Sequence, residues 1–393
     1  MNVKQWLVAA VALLAVAISN PSLMAQGKGK GNGNGNGGGG NNGGGGNQAA
    51  YTVVDLLGLP GGNNSGSLQS QAVAVNDPDL TGAVQLVGNS YELGDRHPAH
   101  WSVSADGSQV TITDVGLPPG STAGYSDDIN DLGELVYYTN LLDDPQDPND
   151  EESKAWVLVP GNAPQELPKA GGVNARVSAI NNSGEIVGWI VFVNGTRTAC
   201  GALWRLDASG IPSAPIDLGS FIPHDISETG MMAGEDEDAA LAAISTLDAN
   251  DDPIVLHLGV VSGHSWSRAR AISDDGTYVV GNSRSLTENE GFVWTALSGM
   301  VGLGRLGGVN GDATDVNSAG HVIGWSDTNE GRWGQTAVLW KDGQMQDLNS
   351  LVDTRGHIGR AESINNTGHI AGYIDLPKPI SEQHGYLLIP NDQ

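Results

Sequence analysis

Ser178-Ala179-Ile180-Asn181-Asn182-Ser183-Gly184-Glu185-Ile186-Val187-Gly188-Trp189 is a phrase to which the chain keeps returning. Nearly the same wording occurs at Ser363-Ile364-Asn365-Asn366-Thr367-Gly368-His369-Ile370-Ala371-Gly372-Tyr373 and at Asp315-Val316-Asn317-Ser318-Ala319-Gly320-His321-Val322-Ile323-Gly324-Trp325. Another copy runs from Ala271 to Gly281, looser ones from Asp225 to Gly234 and from Asp128 to Val136, and a stretched one from Ala74 to Gly88. Marked by its Asn or Ser, the phrase falls at 76, 130, 181, 227, 273, 317 and 365, in steps of 44 to 54 residues. A period of that size signals a propeller or a solenoid. The phrase itself reads as a hairpin: a short apolar strand, a polar turn in which Gly supplies positive φ, and a second apolar strand.

Two more elements recur at the same period. One carries tryptophan, as in Ala99-His100-Trp101, Ala155-Trp156, Leu203-Trp204, Val293-Trp294 and Leu339-Trp340. The other is an Asp-Leu-Gly strand, as in Ile216-Asp217-Leu218-Gly219 and Gln346-Asp347-Leu348. Each unit therefore holds four short strands, and radial repetition of such units hides their sheet edges. The chain opens on a lone Asp-Leu-Gly strand, Tyr51–Leu56, and closes near Leu388 with three strands lacking a fourth. Pairing the two completes a seventh unit. The expected fold is an all-β, seven-bladed β-propeller of four-stranded blades over residues 51–393, its ring closed by the N-terminal strand. An open solenoid would need polar caps instead.

Residues 1–25 read as a signal peptide, with Lys4 before the apolar run Trp6 to Ile18 and Leu23-Met24-Ala25 before Gln26. A retained N-terminal anchor is the alternative, although the run is short for a membrane span. Residues 26–50 form a linker, almost pure Gly and Asn from Gly27 to Asn47, which cannot offset the entropy of ordering and reads as a tether. The mature chain is expected to be a secreted or periplasmic monomer without an integral membrane segment. With 45 acidic against 18 basic residues the net charge is -27, which disfavours nucleic acid. The single cysteine, Cys200, rules out an internal disulfide and reads as a small strand residue.

The repeat vocabulary resembles the HAF-repeat family of secreted bacterial proteins, over about residues 51–389. Matching residues include Asp55, Gly61-Gly62, Gly171-Gly172, Ala179-Ile180-Asn181, Ile186-Val187-Gly188, Asp217-Leu218-Gly219 and Gly307-Gly308. The full His-Ala-Phe triplet is absent, with relics at Pro98-Ala99-His100-Trp101 and His384-Gly385-Tyr386-Leu387. The resemblance implies export and a repeat architecture, and it brings no catalytic residues.

With the Ala-Ile-Asn strand innermost, the tight turns of the hairpins gather on one face. The connections between second and third strands gather on the other, and they are long and varied, as in Asn89–Pro98, Thr139–Lys154 and Ser326–Gln335. Variation on one face marks the expected binding face. It holds two kinds of candidate. Aromatic residues suited to stacking on sugar or peptide are Trp189, Trp266, Trp325, Trp333 and Tyr373. Acidic runs hold Asp143, Asp144, Asp147 and Asp150, and then Glu235-Asp236-Glu237-Asp238. Such carboxylates can coordinate Ca²⁺, while a solvated acidic loop is the plainer reading. His97 and His100 lie close together without a third ligand of defined spacing. There is no His-Glu-x-x-His, Walker or Gly-x-Ser-x-Gly sequence, so catalytic residues are unknown. The favoured function is a non-catalytic scaffold binding neutral glycan or extracellular protein. The alternative is a propeller-fold polysaccharide lyase or glycoside hydrolase, using carboxylates gathered from several blades.

Overall fold

The structure, a computed structural model, describes residues 49–59, 69–92, 95–142, 151–193, 197–329, 334–377 and 382–391. The signal segment and the linker up to residue 48 lie outside these residues, while Ala49 and Ala50, expected as linker, are bonded to the propeller. Seven four-stranded antiparallel sheets form a seven-bladed β-propeller. Strand β1 (Tyr51–Leu56) precedes blade 1, which is β2–β5, residues 70–114. Blades 2 to 6 follow as residues 123–166, 174–217, 221–259, 266–302 and 311–347. Blade 7 is built from β26 (His357–Ile364), β27 (Ile370–Asp375), β28 (Gln383–Pro390) and, at its outer edge, β1. The innermost strands are β2 (Ser70–Val75), β6 (Ala123–Ile129), β10 (Asn174–Ile180), β14 (Phe221–Ile226), β18 (Trp266–Ile272), β22 (Gly311–Val316) and β26.

Each innermost strand carries a β-bulge one turn before its Asn or Ser, for example between Val177 and Ala179. The bulge explains the Val-Gly ending of the repeat. At Gly188 a Cβ would lie 2.1 Å from the Arg176 carbonyl oxygen, and at Gly324 it would lie 2.0 Å from that of Asp312. Only glycine lets the bent strand approach so closely. Blade 2 is the exception, with buried Tyr137 opposite Ser126.

The tryptophan strands supply the packing between blades. Trp204 is fully buried among Val136, Ala155, Val157 and Leu167 of the preceding blade, and its Nε1 donates to the Pro168 carbonyl at 2.9 Å. Trp101 does the same at the ring closure, donating to the Leu57 carbonyl at 3.1 Å. Closure itself runs in register from Tyr51 opposite Pro390 to Leu56 opposite Gly385. His384 Nδ1 lies 3.0 Å from an Asp55 carboxylate oxygen across that seam. The two ends of the described fold meet: Asn391 N donates to the Ala50 carbonyl at 2.9 Å, and its Nδ2 donates to that of Ala49 at 2.7 Å.

The varied connections differ from expectation. Many of their residues continue the β-ladder, so Asn89 to Glu92 pair with Pro98 to Asp95, and Thr139 to Leu142 pair with Lys154 to Glu151. Ladder pairing runs through backbone atoms, so a polar sequence does not prevent it.

Candidate functional site

The conserved-looking Asn of the repeat proves to be a joint between blades. Asn181 Oδ1 accepts from Ser183 N at 3.1 Å and Glu185 N at 3.0 Å, which fixes its own turn. Its Nδ2 donates to the Ser227 carbonyl of the next blade at 3.1 Å. Asn76, Asn130, Asn317 and Asn365 reach the next blade in the same sense. A one-way relay thus spans five of the seven junctions at the turn end of the axis.

Two residues before that position, three blades carry aspartate: Asp128, Asp225 and Asp315. Each clamps the following blade by accepting from a backbone N–H, of Ile180 at 2.9 Å, Ile272 at 2.7 Å and Ile364 at 2.8 Å. Blades 1, 3 and 5 have alanine there, and Ser363 in blade 7 accepts from Val75 N at 3.3 Å. With Asp77, Asp131, Glu228 and Asp274 these residues line a cavity of ≈ 110 Å³ whose lining holds no basic side chain. Burial, then repulsion from Asp225 and Asp315, raises Asp128 far above the usual carboxylate range. Among the described residues no group of three or more His, Cys, Asp or Glu is placed to hold a metal ion.

The loop end of the axis has different chemistry. The extra residue at each bulge and the residue two before it bring charge to the innermost strands. Arg268 Nη2 lies 2.6 Å from Glu235, which also faces His224 at 3.5 Å. Arg270 grips Asp312 through two nitrogens, at 3.0 and 2.7 Å, and Arg360 faces Glu362 at 2.9 Å. Asp312 also feels Arg360 and Arg268, so blades 4 to 7 share one electrostatic neighbourhood. Burial pushes Glu235 up, but hydrogen bonds from His224 and Arg268 hold it below the usual range. Burial holds Glu362 above it, against Arg360 and Arg270.

Blades 1 to 3 complete the annulus by stacking. The Arg96 guanidinium lies 4.8 Å from the Tyr91 ring and 4.5 Å from that of Tyr125. Tyr125 stacks on Tyr138 at 4.7 Å with the planes 1° apart, and Arg176 caps Tyr138 at 4.6 Å. Tyr373, raised by burial and by Glu362, also feels Tyr91, so the two halves meet. Five arginines stand here in a chain whose net charge is -27. They face four carboxylates, those of Asp127, Glu235, Asp312 and Glu362.

The aromatic candidates sit around this annulus. Trp189, Trp325 and Tyr373 lie on second strands, directly opposite Arg176, Asp312 and Arg360. Trp325 packs at the junction of blades 5 and 6, its Nε1 buried without a hydrogen bond to any described residue. Trp266 carries the guanidinium of Arg284 at 4.2 Å and that of Arg268 at 5.4 Å. Trp333 and the acidic residues Asp143, Asp144, Asp147 and Asp150 lie outside the described residues. The second acidic run is no free loop: Glu235 and Asp236 end a strand, and Asp236 lies 2.7 Å from His257. His97 faces Asp114 at 3.3 Å, and His100 bonds Gln85 at 2.9 Å, so the two histidines serve separate partners. Burial pushes the half-buried Cys200 thiol up, away from nucleophilic character. The annulus arginines were not singled out in the sequence. For Arg176, Arg268, Arg270 and Arg360 the signal was a charged residue three or five places before the repeat Asn or Ser; Arg96, on another strand, had none.

No family model matches the chain, and no curated protein does. Solved structures do match. The β-propeller domain of the Trilobed protease from Pyrococcus furiosus aligns over 83% of this chain and 95% of its own, at 10% identity and a TM-score of 0.51. Puromycin hydrolase aligns over 78% of this chain at 13% identity and a TM-score of 0.51, and this chain spans only 50% of that protein. The likeness is one of fold. The Pyrococcus propeller is described as having an open velcro topology, whereas here β1 pairs with β28 and closes the ring. No helix among the described residues is long and apolar enough to cross a membrane.

Proposed function

We propose that the chain is an exported, non-catalytic binding scaffold that holds a neutral glycan or an exposed protein segment at the loop end of its axis. The observation that supports this reading is the annulus of arginines, carboxylates and aromatic rings on the innermost strands. Most of these groups are held by one another, as in Arg270–Asp312 and Tyr125–Tyr138, so a ligand meets a polar surface already in place. The signal-like N-terminus supports export, and the repeat vocabulary supports kinship with the HAF-repeat proteins. A hydrolase or lyase is the second reading, resting on four carboxylates, those of Asp127, Glu235, Asp312 and Glu362, gathered from four blades.

A glycan and polysaccharide array followed by product analysis tests both. Retention of intact glycan, weakened on Trp189→Ala at unchanged melting temperature, is the expected result. Release of shorter or unsaturated products would replace the scaffold reading by the enzymatic one. Calcium binding at Asp143, Asp144, Asp147 and Asp150 is a separate proposal, drawn from the sequence. Saturable calorimetric heat that vanishes in the Asn variants would support it.

A further inference from the structure

The two halves of the annulus differ in how far their polar groups are already occupied. In blades 4 to 7, the guanidiniums of Arg268, Arg270 and Arg360 each face a carboxylate within 3.0 Å. In blades 2 and 3 the corresponding groups, Asp127 and Arg176, form no ion pair. Arg176 stacks on Tyr138 but makes no hydrogen bond or ion pair with any described residue. Asp127 feels Arg176 electrostatically, yet neither of its carboxylate oxygens has a hydrogen-bond partner among the described residues; Oδ2 is enclosed, and Oδ1 of this half-buried residue is the oxygen left to a ligand. Tyr138 feels both charges, and no described residue bonds its hydroxyl. A donor, an acceptor and a group that can be either thus converge beside the stacked pair Tyr125–Tyr138, with Trp189 directly across the strand from Arg176.

Resting on the binding reading above, we propose that Asp127, Tyr138 and Arg176 form a sugar subsite that takes adjacent hydroxyls of a neutral glycan. A hydroxyl donates to the carboxylate while accepting from the guanidinium, so one uncharged group satisfies both. A carboxylate ligand would suit Arg176 alone and be repelled by Asp127. An ammonium ligand would meet the reverse conflict. Tyr138, Tyr125 and Trp189 add the apolar surface against which a sugar ring packs. Burial, opposed by Arg176, raises the Asp127 carboxyl far above its ordinary range, so the discrimination against a uronic acid sharpens as pH rises and Asp127 ionises.

Saturation-transfer NMR with the methyl glycosides of glucose, galactose and mannose, and with the matching uronic acids, provides the test. Transfer to at least one neutral glycoside is expected. It should fall by about tenfold to a hundredfold in affinity in Asp127→Asn and Arg176→Gln, the scale of one lost charged hydrogen bond. Tyr138→Phe, which removes only the hydroxyl, should weaken it less. Melting temperatures show whether each variant is folded, and Glu166→Gln on an outer strand serves as the unaffected control. Tighter binding of a uronic acid, no transfer to any sugar, or equal binding by folded Asp127→Asn and Arg176→Gln would each overturn the subsite. If those variants still retained intact polysaccharide or a protein partner, the scaffold reading would survive with its contact elsewhere. If the wild type retained neither, both readings would fall together.

Discussion

At the scale of single residues, the repeat asparagine has two duties that only its side chain combines. In Asn181 the oxygen holds the turn and the nitrogen holds the next blade, while the residue is 1% exposed. Asn181→Ala is expected to cost about 2–3 kcal/mol, because several backbone groups lose their partner at once, read as a shift in the denaturation midpoint. The aspartates two places earlier set a pH dependence. Burial, with repulsion from Asp274, pushes Asp225 up to about 6, and burial, with repulsion from Asp225, pushes Asp315 up to about 8. Both bind their proton more tightly folded than unfolded, where the ordinary value is 3.8. Their stabilising contribution is therefore whole below that value and is lost as pH rises through about 6 and then about 8. The melting temperature should fall from mildly acidic to mildly alkaline pH, and Asp225→Asn with Asp315→Asn should flatten the fall. A flat wild-type profile would contradict this.

At the scale of elements, the sequence was most legible where geometry leaves one residue type. Opposite the bulge in every blade but the second stands a glycine that cannot carry a Cβ, and the glycine of each turn has positive φ, as at Gly184, where φ is 71°. Those constraints made the hairpin visible in all seven blades. The closing strand was legible because an Asp-Leu-Gly strand stood alone at one end of the repeats. The connections were not. Ladder pairing uses backbone atoms, so Asn89 to Glu92 read as polar loop while continuing a strand. The annulus was hidden for another reason: its partners are brought together from different blades, and the spacing between Arg270 and Asp312 says nothing of their contact. Deleting β1 exposes an edge on blade 7 and removes the fully buried Leu56 from the core it shares with Leu86, Trp101 and Leu387. The deletion variant is expected to lose most of its stability in chemical denaturation. A near-normal midpoint would show that closure is dispensable.

At the scale of the molecule, the joints around the axis are uneven. Asn76, Asn130, Asn181, Asn317 and Asn365 serve five junctions, and Asp225 serves the junction of blades 4 and 5. Between blades 5 and 6, Ser273 and Ala271 replace the amide and the carboxylate, and no turn-end hydrogen bond among the described residues crosses. Near the axis this junction relies on Arg270 and Asp312. Arg270→Ala leaves the Asp312 carboxylate buried without that partner, and should cost about 3–5 kcal/mol. Hydrogen exchange should then be fastest at β22 among the innermost strands. Uniform exchange around the ring would show that packing alone secures the junction.

Because Ala49 and Asn391 touch, the beginning and end of the folded part are positions on a circle. A short Gly-Ser bridge between them would make β28 and β1 covalent neighbours, so that blade 7 no longer borrows a strand. The chain can then be cut elsewhere. Ser262 and Gly263 are exposed in the link between blades 4 and 5 and suit the new ends. Such a circular permutant should fold to the same propeller and keep its ligand. Its resistance to unfolding would move with the cut, from the former ends to the new ones, because a circle of repeats has no intrinsic first blade.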